Sequence, residues 1–184
     1  MHPKAGEPLR RPSLGTSNLT SIVLSIDWPN CSVLLGADME RHTDARRGWQ
    51  AITSMAQKLG WKKANYLKVP HHGSETGHDE VMWEVLMHEK PTSIVAPFGR
   101  GPRNKRPPKS SDIRRISELS GSLYLTARQV DPPKARMSLP VTRSLRDATI
   151  SFVRQKSPFG MVRSRCKSGS EWTQETLGLA TRVK

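Results

Sequence analysis

Short apolar runs alternate with polar turns along most of the chain, and their spacing changes between that of strands and that of helices. Runs of β-branched and apolar residues predict strands at 20–26, 31–35, 64–69, 93–96 and 122–126. Apolar residues at helical spacing predict helices at 43–59, 79–88 and from about 110 to 119. A turn at 27–30 joins the first two strands and predicts a hairpin. Strands and helices then alternate up to residue 126, which favours a layered α/β sheet.

The two ends of the chain and one internal stretch lack this regular pattern. Residues 1–17 are rich in proline, glycine and arginine and predict an irregular leader. Residues 128–146 are polar, contain prolines and have no clear period, so we expect a linker or a long loop there. Short β-type runs at 148–153, 161–165 and 171–176 predict a β-rich tail over 147–184. The organised domain is therefore expected at 18–127.

Charge is the first compositional feature that bears on partners. The chain has 30 Lys and Arg against 16 Asp and Glu, a formal net charge of +14 and a pI near 10.5. Such a field attracts polyanions. The densest basic stretch, 100–109, is either a loop that contacts phosphates or a solvated basic loop. The sequence leaves both open, because it predicts no recognition helix, zinc finger or aromatic stacking platform beside that charge.

The cellular compartment is inferred from what the sequence lacks. It has no run of about 18 apolar residues, so no membrane span is expected. The basic N-terminal stretch is not followed by an apolar segment and does not predict a secretory signal. The two cysteines, Cys31 and Cys166, are too few for a disulfide framework and lack CxxC spacing. We therefore expect a cytoplasmic protein.

Candidate chemistry lies just after two of the predicted strands. Asp38 follows the second strand, and His71, His72 and Ser74 follow the third. The exits of neighbouring strands meet at one edge of an α/β sheet, where a carboxylate and an imidazole can share a divalent ion. Adjacent histidines cannot both face one ion, so one is the ligand and the other supports it or contacts substrate. The alternatives are an Asp38 that caps a helix and a structural histidine pair.

Several motifs in order resemble the C-terminal half of a metallo-β-lactamase-fold hydrolase, with the closest likeness to the metallo-hydrolase domain of competence-type DNA-uptake proteins. The likeness covers roughly residues 18–127. The matching motifs are Asn-Leu-Thr-Ser-Ile-Val-Leu at 18–24, Val-Leu-Leu-Gly-Ala-Asp at 33–38 with Glu40, Leu-Lys-Val-Pro-His-His-Gly-Ser at 67–74, the Lys-Pro strand at 90–96 and the strand ending in Thr126.

The resemblance implies a partial αββα sandwich, namely its C-terminal half, followed by the short β-rich tail. It implies that Asp38 bridges metal ions, zinc or manganese, and that His71 or His72 is the last histidine ligand. It implies hydrolysis, possibly of a phosphodiester, by a water whose pKa the ion lowers. Ser74 and Asn104 would contact the substrate.

Two departures from the family pattern limit this expectation. The first metal motif, His-x-His-x-Asp-His, is missing from the chain, and the loop with Asn104 lacks the family's histidine. A catalytic zinc usually takes three protein ligands, so we expect a weakly binding site in a chain that is incomplete for catalysis. Either the gene is truncated or split, or the N-terminal half comes from another chain. Half a sandwich would also expose an apolar sheet face. The alternatives are a non-enzymatic basic domain that binds nucleic acid, and a gene fragment without function.

Overall fold

A six-stranded mixed sheet organises the computed structural model. The structure describes residues 17–99, 106–127, 139–148, 160–166 and 172–184. The helices are α1 (Gly48–Lys58), α2 (Glu80–Leu86), α3 (Ser110–Leu119) and α4 (Leu139–Ala148). The strands are β1 (Leu24–Asp27), β2 (Ser32–Leu35), β3 (Ala64–Lys68), β4 (Met87–Val95), β5 (Ser122–Leu125), β6 (Gly160–Cys166), β7 (Trp172–Gly178) and β8 (Thr181–Arg182).

The strand order of the main sheet is β1-β2-β3-β4-β5-β8. β1 and β2 form the predicted antiparallel hairpin, β2 to β5 run parallel, and β8 pairs antiparallel with β5. The prediction of a mixed α/β fold is therefore confirmed at that level. Because β2, β3, β4 and β5 are parallel neighbours, their carboxyl ends lie along one edge of the sheet.

The hydrophobic core lies between one face of this sheet and the helices. The register places Leu34, Leu67 and Leu123 in one row across that face, each 1% exposed or less. They pack in one cluster with buried side chains of α1, α2 and α3, namely Trp49, Ala56, Met82, Trp83, Leu86 and Ile116. Burying apolar side chains of this size contributes roughly 1.5–3 kcal/mol each. This core holds the strands in place and thereby positions the loops that follow β2, β3 and β4.

The opposite sheet face is partly covered by the chain's own tail. β6 and β7 form a separate two-stranded sheet, and the rings of Tyr66 on β3 and Trp172 on β7 lie 4.6 Å apart between centroids. A disulfide joins Cys31 before β2 to Cys166 on β6. The sequence gives two cysteines 135 residues apart and predicts no such pair. Disulfides persist mainly in oxidising compartments, so this bond does not favour the cytoplasm, which stays a prediction.

Several element bounds differ from the sequence prediction. α1 begins at Gly48 instead of residue 43, because the carboxylate of Asp44 accepts hydrogen bonds from the backbone and the side chain of Arg46 and holds a turn there. α2 ends at Leu86, and Met87 already pairs with Ala64 in the sheet. The helix predicted to reach residue 88 is therefore too long.

The segment 128–146, predicted as a linker or long loop, contains most of α4 in its described part. The loop prediction is wrong for these residues. Prolines favoured a loop there, but Pro140 is compatible with a helix because it lies in the first helical turn, where its missing N–H group is not needed. Of the strand predicted at 148–153, only Ala148 is described, and it ends α4. The predicted strands near 161–165 and 171–176 are confirmed as β6 and β7. No helix in the described part of the chain has the length and apolar character needed to cross a membrane.

Candidate functional site at the exits of β2, β3 and β4

The candidate site is built by three neighbouring strand exits. Asp38 follows β2, the histidine pair follows β3, and Ala96 follows β4. A hydrogen bond of 2.9 Å from the backbone N–H of His71 to the carbonyl of Ala37 ties the first two exits together. This edge is where ligand sites gather in open α/β sheets. The structure therefore places Asp38, His71 and His72 on adjacent loops at this edge, with the side chain of Asp38 facing His72 and that of Glu40 facing His71.

The two loops are closely packed, and their backbones are strained. A Cβ atom built on Gly36 would lie 2.8 Å from Cβ of Pro70, so only glycine permits this approach. Ala37, His71 and His72 have φ values of +46°, +43° and +55°. Left-handed conformations of non-glycine residues are uncommon, cost of order 1–3 kcal/mol each and cluster at functional sites. The strain thus falls on the residues that present the candidate ligands.

Asp38 and His72 form the first acid–histidine pair. Oδ1 of Asp38 lies 3.7 Å from Nε2 of His72, which is too long for a hydrogen bond. Nδ1 of His72 lies 2.7 Å from the carbonyl oxygen of Ala96. A carbonyl only accepts, so Nδ1 donates, and in the neutral ring Nε2 keeps its lone pair on the side of Asp38. This is the tautomer of a metal-binding histidine whose other nitrogen is held by a backbone carbonyl.

The spacing within this pair suits two ligands of one ion. Donors about 2.1 Å from an ion at a tetrahedral angle lie about 3.4 Å apart. A shift of a few tenths of an ångström would bring the Asp38 oxygen to that distance. The Asp38 side chain is 52% exposed and that of His72 is 25% exposed, so solvent and ions reach the pair.

Glu40 and His71 form the second acid–histidine pair, which is tightly bonded. Oε1 of Glu40 lies 2.6 Å from Nδ1 of His71, and each side chain is only 22% exposed. The same Glu40 oxygen accepts from the hydroxyl of Thr76 at 2.9 Å. On the other side of the ring, the amide nitrogen of Asn18 lies 3.3 Å from Nε2 of His71. Both nitrogens of His71 are therefore engaged by protein groups.

Ser74 lies on the side of the second pair. Its Oγ is 3.0 Å from Nδ1 of His71 and 3.2 Å from the hydroxyl of Thr76, and it accepts from the backbone N–H of Gly77. A Cβ on Gly77 would lie 2.8 Å from Cβ of His71, so this turn also needs glycine. The Ser74 hydroxyl thus shapes the turn below His71, and its predicted contact with substrate stays a prediction. Asn104 lies outside the described residues.

A lysine and a phenylalanine flank the first pair. Burial lowers the pKa of the Lys68 ammonium, while the nearby Asp38 carboxylate raises it. Nζ of Lys68 donates to the carbonyl of Val69 at 3.1 Å. The ring of Phe98, on the β4 exit, lies 5.0 Å from the ring of His72. The first pair therefore has a cation and an apolar wall beside it.

The sequence alone did not indicate several of the residues that contact the two acid–histidine pairs. Lys68, Phe98 and Thr76 are not predicted as site residues, and Asn18 and Glu40 enter only as members of motifs. Two of them could have been identified as site residues from their positions, because Lys68 ends a strand and Glu40 lies two residues after Asp38. The pairing itself could not be read from spacing, since it depends on the unusual backbone of adjacent histidines.

The donor atoms of the described residues fit a divalent ion by type but fall short in number. Among the residues that the structure describes, no three histidine, cysteine or acidic side chains come together as a metal cluster. Asp38 and His72 supply one oxygen and one nitrogen donor, which fit zinc or manganese by type. Two donors suit weak binding and fall short of the three that a catalytic zinc usually takes. Comparisons of the chain with protein-family models, curated proteins and solved structures give no match.

Proposed function

We propose that this chain binds a divalent metal ion through Asp38 and His72 in a site of the metallo-hydrolase type. The observation that carries the proposal is the first pair itself: an imidazole nitrogen and a carboxylate oxygen 3.7 Å apart, with the other imidazole nitrogen held by the Ala96 carbonyl. The main sheet, with its core helices on one face, also supports a metallo-β-lactamase-like half sandwich. In this assignment His72 is the ligand and His71 is a positioning residue.

Each residue of the site has a distinct task in this proposal. Asp38 and His72 hold the ion. Glu40 fixes His71, and through it the strained turn that presents His72. A bound ion would supply positive charge for an anionic substrate and lower the pKa of water. Lys68 places a second positive group beside the pair, which favours substrates such as phosphodiesters.

The third ligand has to come from residues outside the described part of the chain or from another polypeptide. This follows from the donor count, since the described residues bring together only Asp38 and His72. We therefore expect weak ion binding and no appreciable phosphodiester hydrolysis from this chain by itself.

Isothermal titration with zinc and with manganese tests the proposal. The wild-type chain should show a binding heat that is lost in Asp38→Ala. Asp27→Ala is the matched control, because Asp27 is an exposed aspartate at the end of β1 and should leave binding unchanged. Equal binding by wild type and Asp38→Ala would remove Asp38 as a ligand. Metal-dependent cleavage of bis(p-nitrophenyl) phosphate that His72→Ala abolishes would show that the chain already holds a sufficient ligand set.

A second candidate function, non-enzymatic binding of nucleic acid, is favoured by the net charge of +14. Phosphate contacts release counterions, so such binding should weaken steeply as salt rises from 50 to 200 mM, by about 10³-fold or more for six or more contacts. Fluorescence anisotropy with a labelled DNA measures this dependence. A flat salt response, or binding that requires zinc or manganese and is lost in Asp38→Ala, would favour the metal site instead.

A further inference from the structure

The β6–β7 hairpin is attached to the main sheet through side chains, a disulfide and the short link from β7 to β8. It forms its own two-stranded sheet. The hydroxyls of Tyr66 and Ser164 share a hydrogen bond of 2.8 Å, and the indole N–H of Trp172 donates to Oδ1 of Asn65 at 2.8 Å. The Cys31–Cys166 disulfide holds the end of the hairpin where Cys166 pairs with Trp172, which is the end away from β8. The state of the disulfide therefore affects how firmly this end is held.

A cavity opens directly beside this disulfide. It has a volume of about 400 Å³ and lies between the turn after β1 and the hairpin. Both cysteines line it, with Trp28, Val33 and Trp172 as its main apolar walls. Cavities of roughly 300–1,000 Å³ accommodate small organic ligands. A small molecule can thus reach the sulfur atoms while the chain stays folded.

The two sulfurs differ in their surroundings. Cys31 is only 7% exposed, whereas Cys166 is half-buried on the hairpin. Attack on a disulfide depends on access to the sulfur that is attacked. Access therefore favours Cys166 as the reacting sulfur.

We propose that the Cys31–Cys166 disulfide is an exchange site for a small thiol that enters this cavity. The thiolate of the incoming molecule attacks the Cys166 sulfur, and the bond between the two cysteine sulfurs breaks. A mixed disulfide forms on Cys166, and Cys31 leaves as a thiolate that takes up the proton released by the incoming thiol. A second molecule of the same thiol can then attack the mixed disulfide, which yields the Cys166 thiol and the oxidised form of the small thiol.

Exchange at this site would free the hairpin from β2. The hairpin would then be held by its contacts with Tyr66 and Asn65 and by the bond between Tyr124 and Gln174. Its release would uncover the apolar sheet face around Val33 and Tyr66. This inference is independent of the metal site and of any hydrolytic activity.

Reduced glutathione, a small anionic thiol, is the probe. The folded chain is incubated with it in native buffer, free thiols are capped with N-ethylmaleimide, and the adducts are located by peptide mass mapping. We expect glutathione on Cys166 and the cap on Cys31, with an unchanged far-ultraviolet circular dichroism spectrum. A disulfide that reacts only in denaturant, or glutathione found on Cys31, would overturn the proposal.

Single-cysteine variants provide the matched comparison. Cys31→Ser leaves Cys166 as the only thiol, and Cys166→Ser leaves Cys31. With oxidised glutathione, Cys31→Ser should form its mixed disulfide at least about tenfold faster than Cys166→Ser, because access limits the buried sulfur. Equal or reversed rates contradict the assignment of Cys166.

Discussion

The two acid–histidine pairs lie side by side but differ in almost every physical respect. The imidazole rings of His71 and His72 are 6.2 Å apart between centroids. Glu40 and His71 are in hydrogen-bond contact at 2.6 Å and are surrounded by three further polar side chains. Asp38 and His72 are separated by 3.7 Å, and Asp38 is about half exposed.

This difference indicates a division of roles. A pair whose donors and acceptors are all satisfied within the protein stabilises a loop, and has little left to offer a ligand. In the Asp38–His72 pair, the Nε2 lone pair and the solvated carboxylate do not bond to each other. A bound cation would therefore stabilise both groups. Two adjacent histidines, each facing an acidic side chain, thus have different surroundings, and we expect the first to serve structure and the second to bind a ligand.

The largest expected effect is on metal affinity. His72→Asn should abolish the binding heat for zinc, because it removes one of two ligands. His71→Asn, its matched control, should weaken binding by no more than about 10- to 100-fold, the range typical of a residue that orients a ligand. Isothermal titration of the two variants gives the comparison. Equal losses in both would contradict the division of roles.

An intermediate effect is expected on stability. Glu40→Ala removes an acceptor that serves His71, Thr76 and, at 3.5 Å, the amide of Asn18, which should lower the free energy of unfolding by about 2 kcal/mol. Glu40→Gln keeps an oxygen at that position and should cost about half as much. Urea unfolding followed by tryptophan fluorescence measures both. Asp38→Ala is the contrast and should change stability by less than about 0.5 kcal/mol, as expected for an exposed side chain.

The smallest expected effect concerns pH and a histidine outside both pairs. Burial and, second, the nearby Arg115 lower the pKa of His78 in the folded state, although Glu80 and Asp79 act in the other direction. The unfolded chain therefore binds the proton more readily, so this contribution to stability is complete above about pH 6.5 and is lost as pH falls towards the lowered folded pKa.

Urea midpoints measured between pH 7.5 and 5.5 test this prediction. His78→Gln should lose less stability on acidification than the wild type. An unchanged slope would remove His78 as its source. The stabilities of the Glu40 and His71 variants should be compared at pH 7.5, where the contribution of His78 is complete.

The sequence predicts the mixed α/β sheet and its strand exits well, for reasons that are local. Alternating apolar runs mark β2, β3 and β5, and a polar residue after a buried strand marks an exit. The different contacts of His71 and His72 could not be predicted, because they depend on two consecutive left-handed residues and on a bond from Asn18, which is distant in sequence. The Cys31–Cys166 disulfide could not be predicted for a similar reason. It depends on the β6–β7 hairpin, which is distant in sequence, folding back over the main sheet.

The short strand β8 has a consequence for how the protein is made. Thr181–Arg182 pair with β5, and the backbone N–H of Leu123 donates to the carbonyl of Lys184. During synthesis, the edge of β5 therefore stays open while residues 126–180 leave the ribosome. An open strand edge is a template for pairing with other chains. The nascent protein should accordingly be most prone to aggregation in this interval, and delayed release of these residues should lower the yield of folded chain.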